Sequence, residues 1–426
     1  MSGRGRLARH SDALFLRLTP GRVILGAMLR PTRAALLFMI SLGCGAPAPG
    51  PTPGPTPGPT PADAAAPAAV APVPKDSKSG AGPAPGVAED GTIVSALRWF
   101  EGPLDAAMRS ARASGRLVLV DVGAYWCHSC HDLDEQIFTL PRVAAAIEAG
   151  FVAVKIDAEK DEGPEIVARY KVQAYPTVLV LDPVGIEKGR VVEVADADAL
   201  LTALAEITAG GDPLAGLRAK VDAAPDDLEA RYELAVGLAL AARRDEAEVE
   251  YAKVLAADPD NAKGFAARVM VDRAGFFAAK LDGDSERAIA LYREVQSRFP
   301  AAPQAIRAHR SIGRELHRLG RSDEAIAELE KMIAARPDDT ALKASYGWFS
   351  FRERCRPEAG LKAVEAGLVA APDDAELHYL RAELAHLTGD DAKALASIRK
   401  AAELEPKTAY YRRQVKRFEA LAGEGT

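Results

Sequence analysis

The residues best equipped for chemistry are Cys127 and Cys130, two of only four cysteines in 426 residues, set in the string Trp126-Cys127-His128-Ser129-Cys130-His131. Four cysteines in so long a chain do not make a disulfide framework, so each needs its own explanation. Cysteines three apart at the start of a helix lie on one turn and can close a small disulfide ring. Cys127 is then the first residue, where free N–H groups and the helix dipole stabilise a thiolate and lower its pKa from about 8.5. That makes Cys127 the attacking sulfur and Cys130 the resolving one. The same string is also Cys-x-x-Cys-His, a haem-attachment signature, and a zinc or copper site is a further alternative.

The elements around the pair limit these options. Leu117–Val122 is a nearly continuous apolar run, as expected of a buried central strand, and it leads directly into the cysteines. Helical patterns are expected over Ala106–Ala113, stopped by Gly115, and after Cys130 through Leu133, Ile137 and Phe138. Phe151–Ile156 and Thr177–Leu181 are expected as further strands, Pro164–Tyr170 and Ala197–Ile207 as helices. Strands alternating with helices imply an α/β sheet.

With Asp121 six residues before Cys127, Trp126 directly before it, and Tyr175-Pro176-Thr177 ahead of a later strand, residues 91–210 resemble the thioredoxin superfamily. Within it they are similar to the C-terminal domain of the bacterial transmembrane thiol:disulfide interchange proteins. The resemblance implies a cis peptide at Pro176, with Tyr175, Pro176 and Trp126 forming a platform for the substrate chain. It also implies that Asp121 is a buried acid serving proton transfer to Cys130. It calls for no cofactor and no metal, and it weakens the haem and metal alternatives. The intervening His128 and Ser129 replace the usual Gly-Pro, which leaves the direction of electron flow open; a histidine beside the nucleophile can stabilise its thiolate.

From about Gly211 the sequence is helical and alanine-rich. Pro225, Pro259, Pro300, Pro337, Pro372 and Pro406 recur at gaps of 34, 41, 37, 35 and 34 residues, most of them followed by acids. A period near 34 resembles tetratricopeptide repeats, each a helical hairpin. Small residues fall where paired helices must approach: Ala235 with Ala247, Ala288, Gly313 with Ala325, and Ala382 with Ala394. The fourth unit fits only when shifted by one, as Gly347 with Ala359. Residues 211–426 are therefore read as about five repeats with extra residues in the second and third, capped by a helix over Thr408–Ala420. Such a stack offers a concave surface for a protein or peptide. Cys355, in the fourth repeat, is expected to be an inert thiol, and the pairs His309/His317 and His378/His386 surface or groove residues rather than metal ligands. The fold class is thus an α/β thioredoxin-like domain followed by an all-α repeat solenoid.

The N-terminus reads as an address. Seven arginines and one acid, Asp12, occupy the first 33 residues, and an apolar run from Ala34 to Gly43 ends at Cys44. About ten apolar residues are too few to span a bilayer but suit a signal-peptide core. Ser41-Leu42-Gly43-Cys44 resembles a bacterial lipoprotein signal, with its leucine one place late. On this reading residues 1–44 are a targeting segment whose true start is Met28, Cys44 is lipidated, and the protein faces the periplasm or exterior of a bacterial envelope. The Pro/Ala-rich stretch assigned to 45–90 cannot form helix or sheet and serves as a tether. With 54 Lys and Arg against 60 Asp and Glu, the net charge of −6 gives no reason to expect nucleic acid as a partner.

Two functions fit: a thiol–disulfide oxidoreductase acting on protein disulfides, whose repeats recruit a partner and which needs an external electron donor or acceptor; or a redox-inactive binding scaffold of the same architecture.

Overall fold

The computed structural model describes residues 85–424, which lie within one compact unit. The first strands follow directly on the last of the prolines. Pro85 is the last of the Pro-rich run, and with backbone donors restored Gly86–Val87 (β1) pairs antiparallel with Ile93–Val94 (β2). Gly91, at φ +84°, sits in their turn and packs under Ala409; an added Cβ would lie 2.6 Å from that carbonyl. The tether assigned to 45–90 therefore overlaps folded chain at its end.

The α/β domain follows. Helix α1 (Leu104–Ser114) buries Leu104, Ala107 and Ala111 and ends at left-handed Gly115, whose N–H closes on Ala111. Strand β3 (Leu117–Gly123) leads to α2 (His128–Gln136) and α3 (Pro141–Gly150). Then come β4 (Phe151–Asp157), α4 (Gly163–Arg169), β5 (Thr177–Leu181), β6 (Glu187–Val192) and α5 (Ala197–Thr208). The sheet order is β4-β3-β5-β6, with β3 parallel to β4 and antiparallel to β5. Helix α3 and strand β6 were not expected. Strand β6 (Glu-Lys-Gly-Arg-Val-Val) is an edge strand paired only with β5, and its polar half carries no apolar alternation to betray it. Pro141 at the first turn of α3 was the available start signal.

Strand alternation divides the core in two. Val118, Val120 and Val122 face α1 and α4 with Leu104, Ile166 and Tyr170. Leu119 and, from β5, Val178 and Val180 face the other side with Leu133, Phe138, Ile147 and Leu204. Asp121 and Gly123 share the face of Leu119, so the strand itself directs Asp121 toward the layer containing α2.

The rest is helical hairpins: α6 (Ala215–Ala223), α7 (Leu228–Leu240), α8 (Arg244–Ala257), α9 (Phe265–Asp272), α10 (Ser285–Arg298), α11 (Pro303–Arg318), α12 (Ser322–Ala335), α13 (Thr340–Arg352), α14 (Pro357–Ala370), α15 (Ala375–Leu387), α16 (Asp391–Leu404) and α17 (Ala409–Glu424). The recurrent Pro-Asp-Asp has a plain cause. Its second aspartate caps the next helix: Asp227, Asp339 and Asp374 accept hydrogen bonds from the first backbone N–H groups of α7, α13 and α15. The irregular gaps have causes too. Helix α9 continues as a π-helix over Arg273–Leu281, which lengthens the second unit, and α11 has 16 residues where α7, α13 and α15 have 13.

The fourth unit needs a correction. Its close approach uses Gly360, not Ala359. A Cβ on Gly360 would lie 2.3 Å from the Ser350 Cβ, and one on Gly347 would lie 2.4 Å from Val364, whereas Ala359 is only half-buried. Arg354 and Arg356, both at positive φ, make the turn between α13 and α14 one residue longer than its counterparts.

Candidate redox site

Strand β3 delivers the chain to Ala124-Tyr125-Trp126, and Cys127 becomes the N-cap of α2. The Cys130 N–H donates to the Cys127 sulfur at 3.2 Å and to its carbonyl at 3.1 Å. Cys127 and Cys130 form a disulfide, both buried at 6 and 7% exposure. Once reduced, Cys127 keeps that N–H and the start of the helix beside its sulfur, the arrangement that favours a thiolate. Gly123 lies against the second sulfur: a Cβ there would sit 3.1 Å from the Cys130 Sγ. Any side chain at 123 would press on the disulfide.

Asp121, two residues earlier on the same face, is 4% exposed, and its Oδ1 has no hydrogen-bond partner among the described residues. Burial pushes its carboxyl up to about 6, with Lys155, 3.6 Å away, pulling the other way. The acid can thus exchange a proton near neutral pH, on the layer that contains Cys130.

The Tyr175–Pro176 bond is cis, and Thr177 Oγ1 donates to the Ala174 carbonyl at 2.8 Å, tying the loop. Tyr175 packs beside Trp126, ring centroids 6.2 Å apart, and Trp126 Nε1 donates to Glu159 at 2.9 Å. The structure therefore brings Cys127, Cys130, Trp126, Tyr175 and Pro176 to one end of the sheet, with Asp121 beneath. Cys44 lies outside the described residues. Cys355 is buried in a different core cluster, with Ile312 and Leu329, and burial raises its thiol pKa.

His131 is not presented to a haem-sized ligand. One ring nitrogen lies 2.6 Å from the Tyr125 carbonyl, the ring stacks on Tyr410 at 4.4 Å, and burial pushes its pKa down to about 4. The repeat histidines are engaged elsewhere: His309 with Glu328, His317 with Ser322, His378 with the Pro372 carbonyl and His386 with Asp391. Among the described residues no group of three His, Cys, Asp or Glu side chains converges as metal ligands.

The sequence reading missed the residues that cover the pair. His128 sits among Trp348 of α13, Tyr379 of α15, and Tyr410 and Tyr411 of α17, at centroid distances of 4.8 to 6.1 Å. Ala124, Trp126, Cys127 and Cys130 belong to the same apolar cluster as these repeat residues. The signal was available: Trp348-Phe349, Phe351, Tyr379 and Tyr410-Tyr411 concentrate aromatics in a chain where aromatics are only 6% of residues.

Comparison with known proteins agrees with the geometry. A thioredoxin-like family model matches residues 99–183, and a tetratricopeptide-repeat model matches 282–340 and 350–409. Thiol:disulfide interchange protein DsbD of Pseudomonas fluorescens is 33% identical over 120 residues, 27% of this chain and 21% of that protein. A thioredoxin H-type of Oryza sativa subsp. indica is 31% identical over 105 residues, covering 25% of this chain and 79% of the relative. Thioredoxin-1 of Drosophila yakuba is 34% identical over 77 residues, 18% of this chain and 67% of the relative. A Cys-x-x-Cys disulfide at a helix start, packed with the cis-proline loop, defines the class, and the chain belongs to the thioredoxin-like family. Tetratricopeptide repeats are fused to that domain, and the chain spans only about a fifth of the length of the DsbD relative.

Proposed function

We propose that the protein is a thiol–disulfide oxidoreductase acting on protein disulfides, with a repeat array that engages a protein partner. The observation that carries this is the Cys127–Cys130 disulfide on the first turn of α2, beside the cis Tyr175–Pro176 bond. In the reducing direction the Cys127 thiolate attacks one sulfur of a substrate disulfide. A mixed disulfide forms and one substrate thiolate leaves. Cys130, giving up its proton toward Asp121, then attacks the Cys127 sulfur, releases the second substrate thiolate and restores the Cys127–Cys130 bond. Two electrons pass to the substrate, and an external dithiol must return them. The oxidising direction is the same sequence reversed, with an external disulfide as acceptor.

Removing the resolving sulfur tests this. Cys130→Ala should accumulate a mixed disulfide between Cys127 and an insulin chain, seen by mass spectrometry as the summed mass and lost on adding dithiothreitol. No adduct after prolonged incubation, either with insulin or with the small hydroxyethyl disulfide, would refute the reading.

The anchoring belongs to the same proposal. The basic start, the short apolar run and Cys44 support an envelope lipoprotein, and residues 45–85 would be its tether. Labelled palmitate incorporated into wild type should be absent from Cys44→Ala; equal labelling of both would remove the anchor.

A further inference from the structure

The platform expected to receive a substrate chain is already in contact with the chain's own repeats. Arg352 of α13 lies over the Trp126 ring at 3.8 Å. Lys280, at the end of the π-helix, donates to the Gln173 carbonyl in the loop that carries the cis-proline. The aromatic rings of α13, α15 and α17 pack on the Cys-x-x-Cys turn around His128. A protein disulfide cannot lie along Trp126 and the 173–176 loop while these groups are in place.

The rim of the contact is charged, with cations on the repeat side. Arg413 pairs with Glu135 at 2.5 Å and donates to the Gly91 carbonyl at 2.9 Å, while Lys416 pairs with Asp90. Arg417 lies over the Tyr125 ring at 5.5 Å. Such contacts are specific in register yet weakened by salt, unlike a purely apolar core.

We propose that the C-terminal repeats are a retractable cover on the redox site, so that a protein disulfide reaches Cys127 only when α13, α15 and α17 move off, whereas a small reagent enters with the cover in place. The inference deepens the oxidoreductase reading and rests on it for turnover, although covering of the thiol is measurable by itself. It also restricts recruitment: a protein partner that binds this face of the repeats exposes the disulfide by displacing the thioredoxin-like domain.

The test uses the full chain and two independent ways of loosening the contact. Arg413→Glu with Lys416→Glu reverses both rim ion pairs, and Gly91→Trp forces a side chain against Ala409. The readouts are the alkylation rate of reduced Cys127, followed on its own peptide with a polyethylene-glycol maleimide and with iodoacetamide, and the turnover of insulin disulfides. Loosened variants should react with the bulky maleimide about tenfold faster, while the iodoacetamide rate changes less than about threefold. Insulin turnover should rise by a similar factor of about ten. Adding Glu135→Arg and Asp90→Lys to the charge-reversed variant should return the bulky rate to that of wild type.

An unchanged bulky rate in both loosened variants overturns the cover. If the bulky rate rises but insulin is never turned over, the cover stands and the oxidoreductase reading fails. If insulin is turned over equally by wild type and variants, the enzyme stands and the cover fails.

Discussion

Replacing Cys127 by alanine is expected to abolish exchange with a small disulfide such as hydroxyethyl disulfide, with the rate falling at least about a thousandfold. A small disulfide is the right probe because it does not depend on movement of the repeats. The size of the effect follows from the absence of a substitute among the described residues. Cys130 is the third residue of α2, buried behind the N-cap Cys127 with its sulfur against Gly123, where an incoming disulfide meets Cys127 first. Cys355 is 3% exposed, packs in another cluster, and has a thiol pKa raised by burial, so little thiolate forms there. The measurement is turnover coupled to dithiothreitol, with the variant's folding checked by its unfolding midpoint. Activity within tenfold of wild type would show that the pair is not the catalytic centre.

Asp121→Asn is expected to separate stability from turnover. The carboxyl is buried, with its pKa raised from 3.8 to about 6 by loss of solvation. A group with a raised folded-state pKa contributes fully below its unfolded value and loses that contribution as pH rises through the folded one. Wild type should therefore lose about 3 kcal/mol between pH 3.8 and pH 6 relative to the asparagine variant, and nothing further above that. The urea midpoint of Asp121→Asn should exceed that of wild type at pH 7.5 and coincide with it at pH 3.5. Turnover should fall at pH 7.5 by at least about tenfold, through slower release of the mixed disulfide by Cys130. A stabilised variant with undiminished turnover would leave Asp121 as a buried acid without a role in proton transfer.

How much of this was legible depended on whether the deciding signal was local. Strand β3, the capping of α2 by Cys127 and the repeat hairpins follow from short-range features: a continuous apolar run, a cysteine spacing that fits one helical turn, and prolines followed by capping aspartates. The platform residues Trp126, Tyr175 and Pro176 were legible through family resemblance rather than through periodicity. Strand β6 escaped because an edge strand needs only one partner and carries no alternating pattern. Gly360 was displaced by one residue because two positive-φ arginines lengthen a turn, which a count of spacings does not register.

The aromatic cover was the largest omission, and its reason is general. Trp348, Tyr379 and Tyr410 each read as ordinary helix residues, spaced about one repeat apart. Only tertiary packing brings them onto His128, more than two hundred residues away along the chain. A cluster of aromatics in an otherwise alanine-rich array is the trace that such docking leaves in sequence.

Whether the two sulfurs cycle can be read without any substrate. The protein would be equilibrated across a series of reduced and oxidised glutathione mixtures, quenched, and the fraction of Cys127–Cys130 disulfide counted by mass after alkylation. The account predicts a two-electron transition, with a midpoint between about −270 and −120 mV, that disappears in Cys127→Ala. A pair that stays wholly oxidised or wholly reduced across the series would contradict it.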